Sequence, residues 1–161
     1  MRIADFLGQH GAWIPGSLLK DKSIERRYPM SNQFPLPPRR IDIHNHLVNS
    51  RPNGEQMIAL MDAHGVEMAV MLACDFPGCC GNDHTLAQCA RFPERLIPGA
   101  YLDPRDGEKA VDDVGRFHDQ GVRIIKLLPN YGYFPDDPAF EAFFTAIDER
   151  GMAVLSHCGW L

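Results

Sequence analysis

Residues 40–161 predict an α/β fold, a partial TIM-type (β/α)8 barrel with about five parallel strands and four crossover helices. Three observations carry this. Short apolar runs alternate with segments of helical periodicity, and most of those segments close on a glycine. Strict β-α alternation implies parallel strands joined by right-handed crossovers. That leaves an open doubly wound sheet or a barrel. No glycine-rich phosphate turn follows the first strand; His-x-His stands there instead, which favours the barrel.

The elements follow in order. Met1–Arg39 differs in kind from the rest: Ser17–Arg27 reads as one short helix with Ser17 as N-cap, and Tyr28–Pro38 carries Pro29, Pro35, Pro37 and Pro38, which exclude helix and central strand. Residues 1–39 are therefore expected to form an N-terminal arm and Pro-rich linker packed over the outside of the domain, and 40–161 the barrel part. Strand one is Arg40–Leu47. Alternation places Asp42, His44 and His46 on one face and Ile41, Ile43 and Leu47 on an apolar back. A helix at Glu55–His64 shows Met57, Ile58, Leu60 and Met61 at helical spacing and stops at Gly65. Strand two, Val66–Ala73, leads into a Gly- and Cys-rich loop, Cys74–Gly81. Asn82 or Asp83 caps a helix to Arg91, and strand three is Leu96–Leu102. A helix at Arg105–Gln120 precedes strand four, Val122–Leu128. The loop Pro129–Asp137 follows, then a helix opened by Pro138 with Asp137 as cap, running to Arg150, and strand five at Met152–His157.

Composition narrows the function. A chain of 161 residues suits one domain, and 45% hydrophobic residues give it the material for a core. A net charge of −5 argues against nucleic acid as a partner, which needs a basic footprint. Met1–His10 has no apolar core of signal-peptide length, and no stretch approaches a membrane span. Five cysteines without framework spacing read as thiols of a reduced cytoplasm, so the expected location is cytoplasmic.

The chemistry gathers at strand ends. His44 and His46 close strand one and His157 closes strand five. Barrel sites lie at the C-terminal ends of the strands, and strands one and five face each other across a narrow interior. Neutral imidazole is a good ligand for zinc-like metals, and three histidines leave room for water, the layout of a catalytic metal site. The competing reading is a set of histidines held only by hydrogen bonds.

Asp42-Ile-His44-Asn-His46 on strand one and Leu155-Ser-His157-Cys-Gly159 on strand five resemble the amidohydrolase superfamily. The run from Gly121-Val-Arg-Ile-Ile-Lys126-Leu to Gly151-Met-Ala-Val-Leu-Ser-His157 resembles its amidohydrolase-related branch, which includes the aminocarboxymuconate semialdehyde decarboxylases. The resemblance covers Arg40 to Leu161. It implies a (β/α)8 barrel with one divalent metal, zinc foremost, and assigns metal ligation to His44, His46 and His157. It implies a metal-dependent hydrolase or decarboxylase in which a metal-activated water acts on a small amide, ester or carboxylate substrate. The family also uses a histidine on strand six and an aspartate on strand eight, and neither has a counterpart in this sequence. The catalytic set is thus incomplete, and the chain is expected to be the N-terminal part of such a barrel with weak turnover or none. The alternative is a catalytically incomplete fragment or non-catalytic half-barrel that binds a partner. Its open sheet would then mediate a homo-oligomer or accept a complementing chain.

Other residues carry two readings each. Lys126 on strand four either binds a substrate carboxylate or bridges metals, against a structural lysine in a polar layer. Asp42 either orients a ligand or makes a structural hydrogen bond. Cys74, Cys79 and Cys80 read as loop residues, with adventitious metal binding as the rival, and Cys158 as a packed thiol. Tyr131, Tyr133 and Phe134 are expected to wall the pocket. His64 suits a helix C-terminus, His118 a surface, and His84 is a weak candidate for a substrate contact.

Overall fold

Five strands run parallel and lie side by side in chain order: β1 Ile41–Asn45, β2 Met68–Leu72, β3 Leu96–Tyr101, β4 Ile124–Leu127 and β5 Ala153–Ser156. Such unidirectional order is that of a barrel wall; a doubly wound sheet reverses direction part-way. The computed structural model describes residues 39–51 and 53–158. The helix and Pro-rich linker expected before Arg39 lie outside the described residues. Four α-helices cross between the strands: α1 Gly54–His64, α2 Asn82–Ala90, α3 Glu108–Asp119 and α4 Glu141–Glu149. Together they form a half-barrel with its helices on one side. Among the described residues no helix is long and apolar enough to cross a membrane.

Local chemistry sets the helix ends. Asn53 caps α1 by accepting from the Gln56 amide, and Gly65, at φ 63, turns the chain out in the left-handed region. The expected cap of α2 is corrected. Gly81 holds that position without a side-chain bond, because the Asn82 amide is engaged elsewhere. Its Nδ2 donates to the Tyr101 carbonyl and its Oδ1 accepts from the Tyr101 amide, both at 2.8 Å. It thereby pairs with the end of β3 as a further strand residue would. The two later helices each open with a separate 3-10 turn, Pro104–Asp106 and Pro138–Phe140. In both, the aspartate before the proline caps the turn, Asp103 to the Arg105 amide and Asp137 to the Ala139 amide.

The outward faces of the strands make the core. Leu47, Ala69, Met71 and Leu96 pack against Met57, Met61 and Cys89 of α1 and α2. Ala100, Leu102, Ile125 and Leu127 pack against Val114, Phe117, Phe143 and Ile147 of α3 and α4. Each large apolar side chain so buried contributes roughly 1.5–3 kcal/mol. One face differs from expectation. Leu47 is fully buried, but Ile41 and Ile43 are 52% and 65% exposed. They sit on an edge strand with one neighbour, where no helix of the described half-barrel covers them. Val154 on the opposite edge strand is exposed as well.

Candidate metal centre

The site begins with an irregularity in β1. Between Asp42 and Asn45 the strand advances three residues while β2 advances two, from Ala69 to Met71. The extra residue is a bulge, and it breaks the simple alternation that would put Asp42 in line with both histidines. The Asp42 carboxylate is taken up locally instead. It accepts from the His44 amide at 3.0 Å and from the Asn45 side chain at 2.9 Å, and Asn45 Oδ1 accepts from the His46 amide at 3.0 Å. This chain of short polar bonds sets the turn of the strand end that carries both imidazoles.

The two rings converge. His44 Nε2 and His46 Nε2 lie 3.2 Å apart. Two imidazole nitrogens on one tetrahedral zinc-like ion, with bonds of 2.0–2.1 Å, are separated by about 3.3–3.4 Å. The spacing therefore suits two ligands of one ion. The other nitrogen of His46 is fixed: Nδ1 lies 2.8 Å from the Leu72 carbonyl. A carbonyl only accepts, so Nδ1 carries the ring proton and Nε2 keeps its lone pair. Burial pushes His46 down to about 4, with charge on His44, Lys126 and His157 acting the same way against the Leu72 bond. His44 is lowered by burial and then by Lys126 and His157, while Asp42 opposes. Both rings are thus held neutral at physiological pH, the form that ligates.

His157 follows β5, and its amide donates to the Leu127 carbonyl at 3.0 Å. Its Nε2 is buried with no hydrogen-bond partner. A buried imidazole nitrogen without a partner is costly unless something binds it. Lys126 pairs in register with Leu155, so Lys126, Leu155 and His157 share the concave face. Lys126 is fully buried and its Nζ also has no partner. Burial lowers its pKa, with Cys158 opposing. The concave face therefore presents two neutral, convergent imidazoles, a third imidazole with an orphaned nitrogen, and a lone buried amine.

The loop after β2 contradicts the reading of unpaired thiols. Cys74 and Cys79 are joined as a disulfide, while Cys80 and Cys89 are buried and Cys158 exposed as free cysteines. Five cysteines gave no framework spacing, and only the fold brings these two together beside the first strand. Both sulfurs lie against His46 Nδ1, at 3.5 and 3.7 Å, and the Phe76 ring packs edge-on to the imidazole. The three expected wall aromatics divide. Tyr131 packs with Ala73, Cys74, Tyr101 and Leu128 at the mouth, Tyr133 is buried under the Arg105 guanidinium, and Phe134 is 80% exposed. Tyr101, not singled out in the sequence, belongs to the same mouth cluster; its place at an odd step along β3 was the available signal. His64 is exposed in the last turn of α1, His118 lies 3.5 Å from Asp119, and His84 is exposed on α2.

A half-barrel with histidines at the C-terminal rim of its first and fifth strands is the frame of an amidohydrolase-type barrel. The family model described as Amidohydrolase matches residues 41–161, and the chain belongs to that family. No curated protein matches it. Among solved structures it is similar to a probable 2-pyrone-4,6-dicarboxylic acid hydrolase from Acinetobacter baumannii with citric acid bound. The TM-score is 0.58 at 18% identity, over 73% of this chain and 49% of that one. It is also similar to 5-carboxyvanillate decarboxylase from Novosphingobium aromaticivorans, with bound manganese and 3-methoxy-4-hydroxy-5-nitrobenzoic acid. That likeness has a TM-score of 0.55 at 24% identity, over 63% of this chain and 34% of that one. A TIM-barrel protein from Bordetella bronchiseptica gives 0.56 at 16% identity, over 73% of this chain and 54% of that one. These likenesses show the fold. The chain spans about a third to a half of the length of these structures.

Proposed function

We propose that the chain holds one divalent metal, zinc by preference, through His44, His46 and His157. It would serve as the metal-bearing part of a hydrolase or decarboxylase acting on a small carboxylate, ester or amide. The observation that carries this is the 3.2 Å approach of His44 Nε2 to His46 Nε2, supported by the unpartnered Nε2 of His157. An all-imidazole set suits zinc and its neighbours in the first transition row. When bound, such a metal polarises a substrate oxygen and lowers the pKa of water.

The chain's own residues do the rest of the work available to it. The Leu72 carbonyl orients His46, and the Asp42–Asn45 bonds hold the strand end that presents His44. Lys126 offers a buried positive charge to a substrate carboxylate, where pairing would relieve its burial. Carboxylic acids bound to two structurally similar proteins support that substrate class. No general base is assigned among the described residues.

A second reading rests on the exposed Ile41, Ile43 and Val154 of the two edge strands. Edge strands with apolar side chains invite further strands. The half-barrel would then bind a second copy or a complementing chain, not nucleic acid or membrane. Residues 1–39 are proposed as a separate arm, and the protein as cytoplasmic, where a disulfide such as Cys74–Cys79 is transient.

Binding of an aromatic carboxylate tests the substrate class. Calorimetry on zinc-loaded protein should show binding that the metal-free protein and the His44→Ala/His46→Ala variant lack. Equal binding by all three would contradict the proposal.

A further inference from the structure

A second donor cluster lies on the other side of the His46 ring. The Sγ atoms of Cys74 and Cys79 are 3.5 and 3.7 Å from His46 Nδ1, and the three donor atoms all lie within 4.8 Å of one another. Tetrahedral zinc with bonds of about 2.3 Å to sulfur and 2.0–2.1 Å to nitrogen separates S and N by about 3.5–3.6 Å. The Cys74 distance falls in that range and the Cys79 distance lies just beyond it. The Cys-x4-Cys spacing lies within the range of paired zinc ligands, and the two Cα atoms are 5.9 Å apart. Gly78, at φ 91, lets the intervening loop turn back on itself. The third donor comes from a different strand, which is how such sites tie a loop to a sheet.

We propose that Cys74, Cys79 and His46 Nδ1 form a thiol-dependent site for a soft divalent cation of the zinc type, closed when the two cysteines are joined and open when they are reduced. The site shares the His46 ring with the three-histidine centre, through its other nitrogen, and does not require His44 or His157. Opening is a two-electron exchange. The Cys74–Cys79 bond breaks, each sulfur gains one electron and one proton, and two molecules of a small thiol give up two hydrogens and become a disulfide. Cation binding then releases the two thiol protons. The imidazole stays neutral by leaving the Leu72 carbonyl and holding its proton on Nε2. A ring in that tautomer has no Nε2 lone pair to share with the His44 side, so the thiol state decides which face of His46 ligates. Three protein donors leave a fourth position for water or an external thiol.

Cadmium is the probe, because its bonds to thiolates absorb in the ultraviolet. The full chain, reduced with a phosphine that is then removed, is titrated with Cd²⁺ beside an oxidised sample. The reduced chain should give a thiolate–cadmium band that saturates at one ion per chain, and the oxidised chain none. The band should be lost in Cys74→Ser and Cys79→Ser and kept in Cys158→Ser. His44→Ala should keep it too, although that variant removes a ligand of the three-histidine centre, so the two readings fail separately. Alkylation of the reduced wild-type chain, read by peptide mass spectrometry, covers a folding defect in the serine variants. Cd²⁺ should protect Cys74 and Cys79 and leave Cys158 reactive. A reduced wild-type chain with no band and no protection would overturn the proposal, as would a band that persists in both serine variants.

Discussion

His44, on an edge strand, and His46, just past its end, bring their Nε2 atoms to 3.2 Å. Two devices produce that approach. The bulge between Asp42 and Asn45 re-aims the end of β1, and the Leu72 carbonyl of β2 fixes the His46 ring from behind.

The buried state of His46 makes the metal-free protein acid-sensitive. Its folded pKa, about 4, is depressed below the ordinary value near 6.5. Between those values the unfolded chain binds more protons than the folded one, so stability falls as pH drops from about 6.5 towards 4. Denaturant unfolding of metal-free protein across that window should show the loss, and His46→Phe should flatten it. An unchanged slope in the variant would assign the acid loss to other groups.

Lys126 is predicted to be retained for binding and not for stability. Its amine is buried without a partner, and an apolar side chain of similar length avoids that desolvation. Lys126→Met should leave the melting temperature unchanged or raise it, while carboxylate affinity falls at least tenfold. A clearly lower melting temperature would show that Lys126 supports the fold.

Phe117 anchors the half of the core beneath α3 and α4 and is 1% exposed. Phe117→Ala should cost about 3–5 kcal/mol in denaturant unfolding. A loss below about 1 kcal/mol would mean that the half-barrel core does not pack as described.

The free thiols should separate in reactivity. Cys158 is exposed, Cys80 and Cys89 are buried, and burial pushes the Cys89 thiol up to about 12. A thiol reagent applied to the native oxidised chain should label Cys158 first, with Cys89 reacting only on unfolding. Fast labelling of Cys89 in native protein would contradict its place on the buried face of α2.

Much of this architecture is legible in the sequence. The strand–helix alternation, the glycine stop at Gly65 and the proline start at Pro138 are local signals, and the elements they mark are present. What alternation alone misses is set between strands. The bulge in β1 depends on its register against β2, so of the two readings of Asp42 the sequence cannot choose the local bonds to the His44 amide and Asn45 that the fold makes. The exposure of Ile41 and Ile43 depends on which elements lie beyond the sheet edge. The Cys74–Cys79 pair and its approach to His46 depend on a loop conformation that spacing does not specify. The positions of the three histidines at strand ends are readable, since only period and element order decide them. That His44 and His46 share a face is readable from the same period, while the 3.2 Å approach of their Nε2 atoms is a detail of the folded strand end.

Metal content of the purified chain tests the central claim most directly. Elemental analysis after dialysis should find about one zinc-like ion per chain in the oxidised wild-type protein, where the Cys74 and Cys79 sulfurs are unavailable, and none in His44→Ala/His46→Ala. Equal metal in both samples, or none in a wild-type chain that is folded and supplied with zinc, would contradict a metal centre built on these histidines.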